Sequence, residues 1–121
     1  MGRRSRRAQA FTGLKASPVD YADADGNVLT LRGSLTAGTR RQLARERAAG
    51  RAAATVDDSW QREVELLFER LAVSWVIAGV PVEGQGEMLV RFRVASAAER
   101  SWVRETLRAH CAEHFPDVQA P

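Results

Sequence analysis

The stretch "LAVSWVIAGVPV", residues 71–82, is the longest apolar run in the chain, and its reading sets the architecture. It is about half the length of a membrane-spanning helix and contains Ser74, Gly79 and Pro81. Upstream of it, Trp60, Val64, Leu67, Leu71, Trp75 and Ala78 recur at helical spacing, with Phe68, Ala72 and Val76 as a second stripe. Asp57 and Asp58 stand where acids suit the positive end of a helix dipole. The pattern predicts one helix over about 58–78, apolar on most sides from Leu66 onward and therefore central and buried. Gly79 and Pro81 would end it.

Downstream, "EGQGEMLVRFRVA" (residues 83–95) fits two patterns. Met88, Leu89 and Phe92 suit a helix, whereas Met88, Val90, Phe92 and Val94 alternate as in a strand. A helix over 85–94 is preferred, because the segment lies between two helices in a short chain. Ser96 and Glu99 have the spacing of a capping box. They open a last helix over 97–114, whose core stripe is Trp102, Val103, Leu107, Cys111 and Phe115 and which Pro116 ends.

Upstream, "VDYADADGNVLTLRG" (residues 19–33) reads as a hairpin over 19–32. Val19 and Tyr21 alternate on one arm, Leu29 and Leu31 on the other, and Asp25-Gly26-Asn27 supplies the turn. Ser34 or Thr36 would cap a helix over 37–49 ended by Gly50. Its apolar face is thin, Leu43 with Ala44 and Ala48, flanked by five arginines between 40 and 51. "RAAATV" (residues 51–56) reads as a flexible connector. The expected fold is α+β: an N-terminal β-hairpin followed by a small, mostly α bundle of three to four helices. Residues 18–121 would form a single domain behind a disordered basic arm, residues 1–17.

Length and composition agree with one soluble globular domain: 121 residues, 45% hydrophobic and 27% charged. The formal charge is +3, but residues 1–15 hold five basic residues and no acid, which leaves the rest at −2. Basicity is thus local to the arm, chiefly Arg3, Arg4, Arg6 and Arg7. The arm lacks the apolar stretch of a secretory signal, and its paired arginines lack the apolar region of a twin-arginine leader. Four arginines would neutralise about four phosphates, giving weak and salt-sensitive contact with nucleic acid. The single cysteine allows no internal disulfide, which fits a reducing compartment such as the cytoplasm.

Two patterns invite a metal. His110, Glu113 and His114 make H-x-x-E-H, with the histidines on one helix face. Zinc needs a third protein ligand, and the sequence holds no other histidine. The ordinary reading is a core cysteine between two histidines that suit a helix C-terminus, with Glu113 in solvent. An EF-hand loop starting at Asp23 fails at its glycine, one place early, and at position twelve, which is Ser34. No P-loop, G-x-G-x-x-G or G-x-S-x-G is present. The expectation is a non-enzymatic binding or assembly protein without metal, cofactor or membrane span.

The order of parts resembles the small tail assembly chaperones of long-tailed bacteriophages. The resemblance rests on "VLTLRGSLTAGTRRQL" (residues 28–43) and on "LAVSWVIAGVPV" with Trp75, Gly79 and Pro81 in place, followed by a polar segment and an amphipathic helix. It extends loosely over residues 19–115 and contains no single diagnostic motif. It implies a protein of the bacterial host cytoplasm that binds the tape measure protein, recruits tail tube protein, and leaves before the virion is complete. Self-association is compatible with it. Such a role needs exposed or adaptable apolar surface. The candidates are Leu43, Val80, Val82, Met88 and Phe92, each of which also suits core packing, the preferred reading for Phe92. Two rivals stand beside this reading. One is a virion structural component, such as a connector or tail-completion protein. The other is a small nucleic-acid-binding regulator using the arginine arm; it is disfavoured because Arg100, Arg104 and Arg108 are balanced by Glu99, Glu105 and Glu113.

Overall fold

The computed structural model describes residues 16–53 and 56–121, with the backbone alone for residues 51–53 and 56–59. Arg3, Arg4, Arg6 and Arg7 lie outside the described residues. The fold is α+β. In chain order it comprises β1 (Val19–Ala22), β2 (Val28–Leu31), α1 (Ala37–Ala53), α2 (Val56–Leu71), β3 (Ala72–Ile77), β4 (Val80–Glu83), α3 (Gln85–Arg93) and α4 (Ala97–His114). The strands form one antiparallel sheet in the order β1-β2-β3-β4. A hairpin followed by two helices therefore occurs twice, and the two hairpins join edge to edge through β2 and β3.

The first hairpin lies where its alternation predicts. Asp23 closes the turn by accepting the backbone N–H groups of Asp25 and Asn27, both at 2.9 Å. Its carboxylate is thus committed to the turn. Leu29 and Leu31 are fully buried, while Asp20 and Thr30, paired across the strands, face away from the helices and hydrogen-bond at 2.6 Å. Ala16 and Ser17, at the end of the expected arm, lie close to Gly33: a Cβ added there would come within 2.4 Å of the Ser17 carbonyl oxygen.

The expected helix over 58–78 divides in two. It ends at Leu71, and Ala72 begins a strand. The sheet register explains why the run passes for helix. Leu29 stands opposite Trp75 and Leu31 opposite Ala72, with an irregularity between Thr30 and Leu31. The extra residue is a β-bulge, which resets the alternation of a strand. Ala72 and Trp75 consequently face the helices together although they are three apart, a spacing that imitates a helical stripe. The local preference is β: Val73, Val76 and Ile77 are β-branched and Trp75 is aromatic. Ala78 (φ 52°) and Gly79 (φ 77°) then form a two-residue turn with positive φ at both positions, as the twist of a hairpin favours. Asn27 ties the two hairpin turns together by accepting the Ala78 N–H at 3.0 Å.

The helices cover one face of the sheet. Val64, Leu67, Phe68 and Leu71 of α2, Met88 and Phe92 of α3, and Val103, Leu107 and Cys111 of α4 meet Leu29, Leu31, Ala72 and Trp75 in a single core. The aromatic centre is Phe68, stacked on Phe92 at 4.9 Å and edge-on to Trp75 at 5.6 Å. The ambiguous segment is indeed a helix, α3, and α4 carries the expected capping box between Ser96 and Glu99. Helix α1 runs through Gly50 to Ala53, so Gly50 does not end it, and most of the expected connector is helical. Thr36 caps its start by accepting the Thr39 N–H. Among the described residues no helix is long and apolar enough to cross a membrane.

Candidate partner-binding groove

The five residues proposed from sequence as partner contacts do not form one surface. Leu43 (2% exposed), Met88 (2%) and Phe92 (4%) belong to the core. Leu43 packs in the core cluster, and two of the arginines near it are engaged within the chain. Arg40 reaches Asp117 at 3.3 Å, and Arg47 binds Glu63 at 3.1 Å and the Gln119 carbonyl at 2.6 Å, which draws the C-terminal segment over α1. Val82 is partly buried against the core, and only Val80, near the second hairpin turn, is well exposed, at 64%.

The histidine pair has a structural environment that its spacing did not reveal. His110, expected in the last turns of the helix, is fully buried. Tyr21 Oη lies 2.6 Å from its Nδ1, and its Nε2 lies 2.7 Å from the Arg32 carbonyl oxygen. The carbonyl can only accept, so Nε2 carries the proton and Nδ1 accepts from the tyrosine hydroxyl. Burial pushes the His110 pKa below its ordinary value, assisted by His114, against the opposing pull of the Arg32 carbonyl and Glu113. Both ring nitrogens are therefore occupied. Burial also pushes the Cys111 thiol up to about 11, which keeps it protonated. Among the described residues no cluster of three or more His, Cys, Asp or Glu side chains is arranged to hold a metal ion.

A well-formed concavity lies elsewhere, between α2 and α4. It is a groove of about 520 Å³ lined by Trp60, Gln61, Val64 and Glu65 of α2, Phe92 and Arg93 of α3, and Ala97, Arg100, Ser101 and Arg104 of α4. Each long wall is a helical stripe: 60, 61, 64 and 65 on one side, 97, 100, 101 and 104 on the other. Val64 and Phe92 form a floor continuous with the core. Trp60, placed by its spacing on the helical stripe of α2, is 44% exposed. The Arg104 guanidinium lies 4.8 Å from the centre of its ring. At the rim, Arg93 donates through Nε and Nη2 to Glu65 at 3.1 and 2.9 Å, and this bond raises the Arg93 pKa further. Beyond the groove, Val90 of α3 (60%) and Val94, just after it, (72%) are exposed.

An aromatic face, an apolar floor and guanidinium groups at the rim are the composition of protein-recognition sites, where Trp and Arg are enriched among the residues that dominate affinity. The sequence marks Trp60 only as a stripe position. Its opposition to Arg104 depends on how α2 and α4 pack, which local patterns do not encode. Comparison with protein families, with curated proteins and with solved structures returns no match to this chain.

Proposed function

We propose that this chain is a non-enzymatic assembly protein that holds an elongated helical partner, in the manner of the tail assembly chaperones it resembles in sequence. The tape measure protein would then be the partner held, tail tube protein the partner recruited, and the bacterial cytoplasm the compartment. The observation that carries the binding role is the groove between α2 and α4, with its half-exposed Trp60 under Arg104 and its apolar floor of Val64 and Phe92. The phage setting rests on residues 28–43 and 71–82. Surface of this type suits transient cover of a long amphipathic helix, since groove recognition of helices uses apolar anchors at successive turns.

The test is co-expression with the product of a long, helix-rich reading frame encoded beside this one. The proposal expects that product to become more soluble and to be recovered with this chain in a pull-down, while finished particles lack the chain. Stoichiometric presence in purified particles would establish the structural-component reading instead. Tight, sequence-specific DNA binding would defeat both.

A further inference from the structure

We infer that the α2/α4 groove takes an acidic amphipathic helix: its apolar side chains seat on Trp60, Val64 and Phe92, and its carboxylates face Arg100 and Arg104. The inference deepens the proposed binding role and rests on it for the existence of a protein partner. The shape of the occupant follows from the walls. Residues 97 to 104 span about 10 Å of helix at 1.5 Å per residue, two turns, which matches anchors at i, i+3 or i+4, and i+7 on an incoming helix. Ala97 and Ser101 lie on that wall and are small, so a helix can approach closely there.

Its charge follows from the rim. Among the described residues, three arginines and one glutamate line the groove. Glu65 is taken by Arg93, with two nitrogens on one oxygen. Arg100 reaches only the Arg93 backbone carbonyl, at 3.5 Å, and Arg104 stacks on Trp60; among the described residues neither forms an ion pair. Glu99 of α4, next to Arg100 in sequence, is held elsewhere: it accepts from the Ser96 N–H at 3.1 Å and from Arg91 at 2.8 Å. Among the described side chains, two cations thus flank an apolar trough without a carboxylate paired to them, and an acidic partner complements them. Arg3, Arg4, Arg6, Arg7 and Lys15 give the chain's own arm the wrong sign to fill it. The apolar floor favours protein over a nucleic-acid strand, whose binding draws mainly on phosphate neutralisation.

The experiment uses the full chain and a labelled synthetic peptide of about 18 residues, long enough to hold a helix. The peptide carries leucines on one face and glutamates on its flanks; a second peptide replaces the glutamates with lysines. Fluorescence anisotropy should show the glutamate peptide binding at least about tenfold more tightly than the lysine peptide. The R100E/R104E variant should reverse that preference, and Trp60→Ala should weaken both peptides. Equal affinity for the two peptides on the native chain overturns the inference without reliance on any variant, as does failure of both to bind. Tighter capture of a single-stranded oligonucleotide that is lost in R100E/R104E also overturns it, as does competition by a second copy of the chain that makes the groove a self-association face. The two levels remain separable. If the co-expressed partner binds the native chain and R100E/R104E equally well, the groove assignment fails and the chaperone proposal stands. If no partner is recovered while the peptides discriminate as stated, the proposal fails and the groove assignment stands.

Discussion

Truncating Trp75 tests the placement of β3 and the energetics of the core together. Its side chain is 2% exposed, edge-on to Phe68 at 5.6 Å, under the Arg91 guanidinium at 5.4 Å, and opposite Leu29 and Val82 across the sheet. Replacing a buried tryptophan with alanine costs about 3–5 kcal/mol, against a total stability of about 5–15 kcal/mol for a domain of this kind. At roughly 4 °C per kcal/mol, Trp75→Ala should lower Tm by about 12–20 °C. Phenylalanine should behave differently. Trp75 Nε1 is buried with no hydrogen-bond partner, and an unmade buried hydrogen bond costs about 1–3 kcal/mol. Trp75→Phe removes that donor and about two ring carbons, worth roughly 0.8 kcal/mol each. The two effects nearly cancel, so this variant should stay within about 1.5 kcal/mol of the native chain. Thermal melts by circular dichroism, with urea titrations to confirm an unchanged slope, read both numbers. A nearly native melt for Trp75→Ala would remove Trp75 from the core. A Trp75→Phe cost equal to that of alanine would refute the argument from the unpaired indole and assign the whole effect to shape.

Three further outcomes rest on the hydrogen bonding and the backbone. The His110 pKa is lowered on folding, so the unfolded chain protonates first as pH falls; this stability is fully present above the ordinary value of 6.5 and is lost as pH drops through the lowered value. Urea titrations at pH 7.5 and 5.5 should therefore show a fall that is shallower in His110→Gln, and equal slopes would exclude His110 as a source. Tyr21→Phe, which strips the donor from Nδ1, should cost about 1–3 kcal/mol at neutral pH. Ala78 holds φ 52°, a left-handed conformation that costs a residue with a Cβ about 1–2 kcal/mol. Asn-Gly is the preferred pair for such a turn, so Ala78→Asn should raise Tm, and a lowered Tm would contradict the turn assignment.

The first hairpin and α4 are legible because each carries its own local signal, whereas α3 is favoured over a strand only by its expected place between two helices, and the element before it is in fact β4. The alternation around Asp25-Gly26-Asn27 and the Ser96/Glu99 box need no distant partner to be read. Residues 72–77 misled because the bulge set Ala72 and Trp75 three apart on one face, continuing the stripe of Leu67 and Leu71. The corrective signal was present in Val73, Val76 and Ile77, and in an Ala-Gly pair followed by Val80 and Val82. The candidate site was less legible. Leu43, Met88 and Phe92 were proposed as contacts because their cover comes from distant residues, such as Asp117 and Gln119 over α1 and Phe68 against Phe92. His110 was missed as a core residue because its partners, Tyr21 and Arg32, lie 89 and 78 residues away in sequence. The groove joins residues 60–65 to residues 92–104, and no periodicity within either segment announces the other.

The central claim is recognition of a protein partner through apolar burial with an electrostatic rim, and its most direct test is the salt dependence of the complex. Affinity for the co-expressed helical partner is measured by calorimetry from about 50 to 200 mM salt and then to about 1 M, beside a DNA duplex as control. Apolar burial is not Coulombic, and rim charges are screened over about 10 Å at 0.1 M. The expected loss is no more than about tenfold between the lowest and highest salt, with a negative heat-capacity change on binding. A loss of about a thousandfold between 50 and 200 mM, shared by the DNA control, is the behaviour of phosphate neutralisation and would contradict it.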